Sequence, residues 1–165
     1  YVKKVIFPLE ILPVVTLLVA LVNSFILAGL ILVGALIIQH SLSPTLYLLP
    51  LAYLPLIFIC LACSWLLSSL GVYIRDIGQV IGVAVQVLFF LSPIFYPIEA
   101  VPEKLRAILA LNPLSTVIAG FRAALLLGEP LPWLPWGVWT VVSILASWLA
   151  FVWFMKTKKG FADVI

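Results

Sequence analysis

From Ile11 to Ile74 the chain carries no side chain that is charged at neutral pH; the ionisable groups along the way are His40, Tyr47, Tyr53, Cys60, Cys63 and Tyr73. A soluble core has no use for so long an uncharged run, whereas a hydrocarbon core needs about 20 apolar residues per crossing helix. The rest of the chain agrees: 65% of its 165 residues are hydrophobic and 9% charged, against about 25% charged in soluble domains. This is an integral membrane protein. Its net charge of +3 therefore says nothing about nucleic acid, and the positions of the basic residues matter because they orient the spans.

Four segments are long enough to cross: Val14 to Ile38, Thr45 to Leu70, Ile77 to Phe95 and Trp136 to Met155. Short polar corners, Gln39 to Pro44 and Gly71 to Asp76, join the first three and leave no room for a soluble domain. With the amino end cytoplasmic, Lys3, Lys4, Arg75, Lys156, Lys158 and Lys159 lie inside and Lys104, Arg106 and Arg122 outside. That split obeys the positive-inside bias.

The stretch from Leu91 to Arg122 is different. Pro102 suits a first helical position and Glu103 the positive end of a helix dipole, and Asn112-Pro113 stops that helix. The apolar run from Leu114 to Leu127 would reach only about 21 Å as a helix, short of a core of ~30 Å, and Gly128 is a natural terminator. We therefore expect an all-α, polytopic membrane helix bundle with four spans and an external-side re-entrant helical hairpin over 99–132. Irregular backbone at membrane depth is tolerated where protein buries it or where it lines a watery path, so the hairpin points to a conduit. Reading Leu105 to Leu127 as a fifth span is the alternative. It would reverse the parity and export the lysine cluster at 156–159.

Smaller signals concern packing. Trp133, Trp136 and Trp139 cluster where the chain re-enters from outside, as indoles seated among headgroups do. Pro50 and Pro55 favour kinks in the second span. Gly78 and Gly82 form a G-x-x-x-G, and Ser64 and Ser68 repeat the spacing; both predict close helix approach, within one subunit or across a dimer.

Site chemistry is sparse. None of the four spans contains His, Asp or Glu, and His40 stands alone in an outer corner. Cys60 and Cys63 make a C-x-x-C, but inside an apolar segment they read as two small hydrophobic side chains. No G-x-x-x-x-G-K-[ST] is present to cradle ATP, so the energy of any active transport has to come from another chain or another part of this protein. Neither an enzyme nor a metal or cofactor site is expected. Because the first residue is Tyr1 and no leader precedes the first span, a piece of a longer protein is also expected.

Three patches carry a family resemblance. They are Val2 to Pro13, then Tyr73 to Gly78 leading into Phe89 to Pro97 with Val101 to Glu103 and Asn112 to Leu114, and finally Gly160 to Ile165. In order and spacing they resemble the membrane permeases of polysaccharide-exporting ABC transporters, the type-2 exporters of O-antigen, capsule and teichoic acid. The resemblance implies a permease of six spans, of which this chain would carry the last four. It implies a homodimeric channel in the cytoplasmic membrane, both ends of each chain cytoplasmic, with a separate ABC ATPase subunit that binds the ATP. The cargo would be lipid-linked polysaccharide or its precursor. Lys3, Lys4, Phe7, Pro8 and Glu10 would belong to the ATPase-coupling region, although the two lysines also read as headgroup anchors. Phe89, Phe90, Phe95 and Tyr96 would line the channel, where aromatic faces stack on sugar rings; lipid-facing or interhelical packing is the competing reading. Pro102, Asn112, Pro113 and Arg122 would form the re-entrant gate. A type-2 permease for a drug, antibiotic or lipid shares the Asn112-Pro113 to Arg122 pattern, and a non-transporting membrane anchor or assembly subunit is the reading from another class.

Overall fold

The computed structural model describes residues 8–39, 43–74, 76–96 and 101–163, and the described residues are helical apart from their connections. Helix α1 runs Ile11–Gln39. A 3-10 turn at Leu46–Leu48 leads into α2, Leu49–Ala52, and then α3, Leu54–Tyr73. Helix α4 covers Ile77–Leu91, α5 Glu103–Ala110, α6 Pro113–Arg122 and α7 Trp133–Thr157, the last followed by a 3-10 segment, Lys158–Asp163. Among the described residues three stretches are long and apolar enough to cross a membrane: Ile11–Ile38, Leu46–Tyr73 and Trp133–Phe161.

The expected third span, 77–95, is helical only to Leu91. Ser92 precedes Pro93, whose ring disfavours the α region for the residue before it, and Ser92 accordingly sits extended at ψ 135. The 15 residues of α4 reach about 22 Å. Residues 92–96 form the turn beyond it. In the second span the prolines act as helix starters rather than as kinks in one continuous helix. Pro50 and Pro55 occupy the first turns of α2 and α3, where a missing N–H costs nothing, and Tyr53 marks the step between them.

Tyr53 explains why the step is tolerated. It is buried, shares a 2.8 Å hydrogen bond with Ser24 of α1, and lies between the rings of Phe25 and Phe121 at 4.8 and 4.5 Å. One side chain thus ties α1, the α2–α3 step and α6 together.

Helices α3 and α7 form the most extensive pair. The buried face of α7 is Thr140, Ser143, Ser147, Ala150 and Phe154, spaced three and four residues apart, so small side chains fall on one stripe. Their hydroxyls return to the helix itself: Thr140 donates to Trp136 O, Ser143 to Thr140 O and Ser147 to Ile144 O. The backbones can then approach closely with no polar group stranded. On α3 the buried residues are Pro55, Ala62 and Ser69, and Trp153 Nε1 donates to Ser69 Oγ at 3.1 Å. The small-residue contact is therefore made by Ser69, not by Ser64 and Ser68, which are half-buried and exposed. A Cβ added at Gly78 or Gly82 would meet nothing within 4 Å, so the G-x-x-x-G face is open in the single chain.

The two ends of the described chain meet at one end of the bundle. Lys158 Nζ lies 2.5 Å from Glu10 Oε2, Trp65 Nε1 donates to Glu10 O, and Tyr73 Oη donates to Thr157 O. At the opposite end Trp136 Nε1 donates to Leu51 O, and Thr45 Oγ1 to Ala124 O.

Candidate functional site

At the end away from Glu10 and Lys158, the chain reverses through Ser92-Pro93, and α6 is strapped to that reversal at two points. Asn112 takes an extended backbone and caps α6: its Oδ1 accepts from Leu114 N at 3.0 Å, with Pro113 in the first turn. Its Nδ2 donates to Ser92 Oγ at 3.2 Å and to Leu91 O at 3.4 Å. Ser92 Oγ in turn donates to Leu88 O. Asn112-Pro113 thus starts α6 as well as stopping α5. Nearly three turns further on, Arg122 Nη2 donates to Pro93 O at 3.3 Å. Past Arg122 the helix widens into a π turn, Ala123–Leu127, which ends at Gly128 with φ 69. The left-handed φ favours glycine there, and a Cβ would press on Ser43 Oγ at 3.2 Å.

Of the four gate residues, the structure brings Asn112 and Arg122 onto the Ser92-Pro93 turn, while Pro113 sits in the first turn of α6 and lines a cavity with Leu88 and Leu91. Pro102 stands apart from them. It is exposed and directly precedes α5, which begins at Glu103, so it is not the first residue of that helix; its carbonyl accepts from Arg106 N. The sequence reading passed over Ser92 as a hydrogen-bonding group, because a serine before proline reads only as a turn signal. Its role becomes visible when Asn112 is placed opposite it.

The four aromatics named for the channel form one patch at the end of α4. Phe89 meets Phe90 and Phe95 edge-on at 5.8 and 5.4 Å, and Tyr96 Oη donates to Phe90 O at 3.1 Å. Phe90 is 77% and Phe95 80% exposed in the single chain, whereas Tyr96 is half-buried. Rings held edge to face at such distances stiffen one another and still present free faces.

Lys3, Lys4 and Phe7 lie outside the described residues. Pro8 opens the turn into α1, its carbonyl accepting from Ile11 N, and Glu10 follows it into the pair with Lys158. The hydrogen bond from Lys158 holds the Glu10 carboxyl below its ordinary pKa. Lys158 was legible only as one member of a basic cluster; its carboxylate partner is distant in sequence. Cys60 and Cys63 are free thiols, and among the described residues no three His, Cys, Asp or Glu side chains converge to hold a metal.

Residues 1–126 match the family model described as ABC-2 type transporter. Among curated proteins the chain is similar to the O-antigen export system permease protein RfbA of Klebsiella pneumoniae, 22% identical over 99% of this chain and 63% of that protein. It is likewise similar to the protein of that name from Myxococcus xanthus, 27% identical over 98% of this chain and 63% of the relative. The chain therefore spans about 63% of the length of these relatives. A helical membrane chain whose family model covers more than three quarters of its length belongs to the ABC-2 type transporter family.

Proposed function

We propose that this chain is part of the membrane-channel subunit of an ATP-driven exporter that moves lipid-linked polysaccharide, or its precursor, outward across the cytoplasmic membrane. The observation that carries the reading is the similarity, over nearly the whole chain, to permeases named for O-antigen export. The geometry supports it. Helix α4 has no buried residue, and the buried hydrophobic residues of α1 are Leu17 and Ala28, so two apolar helices offer lateral faces to other copies or to a translocation path. A second copy of the permease would complete that path, and the Phe89, Phe90, Phe95 and Tyr96 patch would line its outer half. Sugar rings slide over aromatic faces because each contact is weak and makes few fixed hydrogen-bond demands.

The end bearing Glu10 and Lys158 would then be cytoplasmic. Pro8 and Glu10, with Lys3, Lys4 and Phe7 before them, would meet the ATPase subunit, whose nucleotide cycle drives closure and opening. ATP is bound by that partner, and this chain supplies shape and movement. At the other end the α5–α6 hairpin, strapped to Ser92-Pro93 by Asn112 and Arg122, would act as the exit gate. Phe90→Ala and Tyr96→Ala in the complete permease test the lining role: at matched protein levels, polymer export should fall several-fold. Unchanged export would remove these residues from the channel.

A further inference from the structure

At the hairpin end a cavity of about 250 Å³ opens between α6, the Pro93 turn and residues 129–132. Ser115, Ala119 and Arg122 are three and four residues apart on α6 and so present one face to it. Ser115 is 5% exposed, and its Oγ finds no hydrogen-bond partner among the described residues. Buried hydroxyls are almost always satisfied, so this one calls for an acceptor or donor beyond the described residues. Arg122 spends Nη2 on Pro93 O, and Glu129 lines the same cavity, yet no ion pair joins the two among the described residues. One cavity therefore holds a cation and an anion apart, with an unsatisfied hydroxyl beside them.

A second cavity, about 370 Å³ and almost wholly apolar, lies between α3, α4 and α6, and Ile118 is a wall of both. Trp133, next to Pro132 of the polar cavity, is exposed, as indoles at headgroup depth are. A dipolar cavity beside an apolar one, with Ile118 as their common wall, matches an amphiphile whose polar end carries both charges.

We propose that the paired cavities form a lipid site that takes a phosphoethanolamine headgroup between Arg122 and Glu129, with an acyl chain along the Ile118 side. The phosphate accepts from the Arg122 guanidinium and the Ser115 hydroxyl, and the ammonium donates to Glu129. A phosphocholine headgroup has no N–H to offer Glu129, and an anionic headgroup or polyprenyl phosphate leaves Glu129 facing a like charge. The site is independent of which cargo the protein exports.

The test uses the full-length permease in nanodiscs containing equal parts phosphatidylethanolamine, phosphatidylcholine and phosphatidylglycerol, with native mass spectrometry counting the lipids retained on release. Wild type should retain phosphatidylethanolamine about tenfold over either other lipid, the discrimination one charge-assisted hydrogen bond supplies. Glu129 is exposed and outside any helix, so Glu129→Gln should fold normally and turn the preference toward phosphatidylglycerol. Arg122→Lys should keep the original order, and Arg122→Gln should lose it. Equal retention of the three lipids by wild type, a wild-type preference for phosphatidylglycerol, or an unchanged order in Glu129→Gln would each overturn the proposal.

Discussion

At the scale of single residues, Asn112 concentrates more of the structure than any charged group does. One side chain caps α6 through its oxygen and reaches the end of α4 through its nitrogen. The two roles separate by substitution. Asn112→Asp keeps the acceptor and loses the donors, whereas Asn112→Ala loses both. We expect Asn112→Ala to lower stability by about 1–2 kcal/mol, with Asn112→Asp in between, because a lost cap costs about 1 kcal/mol and the lost hydrogen bond to Ser92, which keeps its own bond to Leu88 O, adds to it. Thermal unfolding of the purified permease checks this, and equal midpoints for the three proteins would show that the strap bears no load. Arg122 is the second strap, and its bond to Pro93 O was not visible in the sequence. The sequence offered a lone arginine late in an apolar helix, and only the reversal at Pro93 gives it an acceptor.

At the scale of elements, the stripe on α7 determines how the two most extensively packed helices meet. Ser143 is almost fully buried against α3, so Ser143→Leu adds volume where none is free and should cost about 1–3 kcal/mol. Val142→Leu, next to it on the exposed side, should change little. The comparison is made by thermal unfolding in one detergent; equal destabilisation would mean that the stripe does not face α3. Thr140, Ser143, Ser147 and Ala150 stand at helical spacing, yet the stripe was not picked out from the sequence, because serines and threonines in an apolar run attract less notice than G-x-x-x-G. Helix α4 shows the opposite case: its glycines advertised a contact that the single chain does not make. Charge placement and apolar length gave the long helices, since α1 and α7 fall within three residues of the expected bounds. The end of α4 was misread, because apolar residues continue past Leu91 and only Pro93 signals the break. The aromatic patch was legible because four rings lie close in sequence. The strap was not, because Ser92 and Asn112 meet only through the fold.

At the scale of the whole molecule, the two ends of the bundle are unlike. One gathers Glu10, Lys158, Tyr73 and Thr157, where the start and end of the described chain close on each other. The other gathers the short helices, the aromatic patch and the paired cavities. Under the proposed function the first end would receive the ATPase's movement and the second would control passage. Between them α1 and α4 leave apolar flanks open, and family membership supplies a reason: an ABC-2 permease works within a larger transporter. The central claim is directional export of a lipid-linked polymer, and the direct measurement is where that polymer resides when the permease is removed. In cells deleted for the full-length gene, lipid-linked polysaccharide should accumulate at the cytoplasmic face and surface polymer should vanish, both reversed by restoring the gene. Undiminished surface polymer in the deletion strain, with none retained inside, would contradict the account.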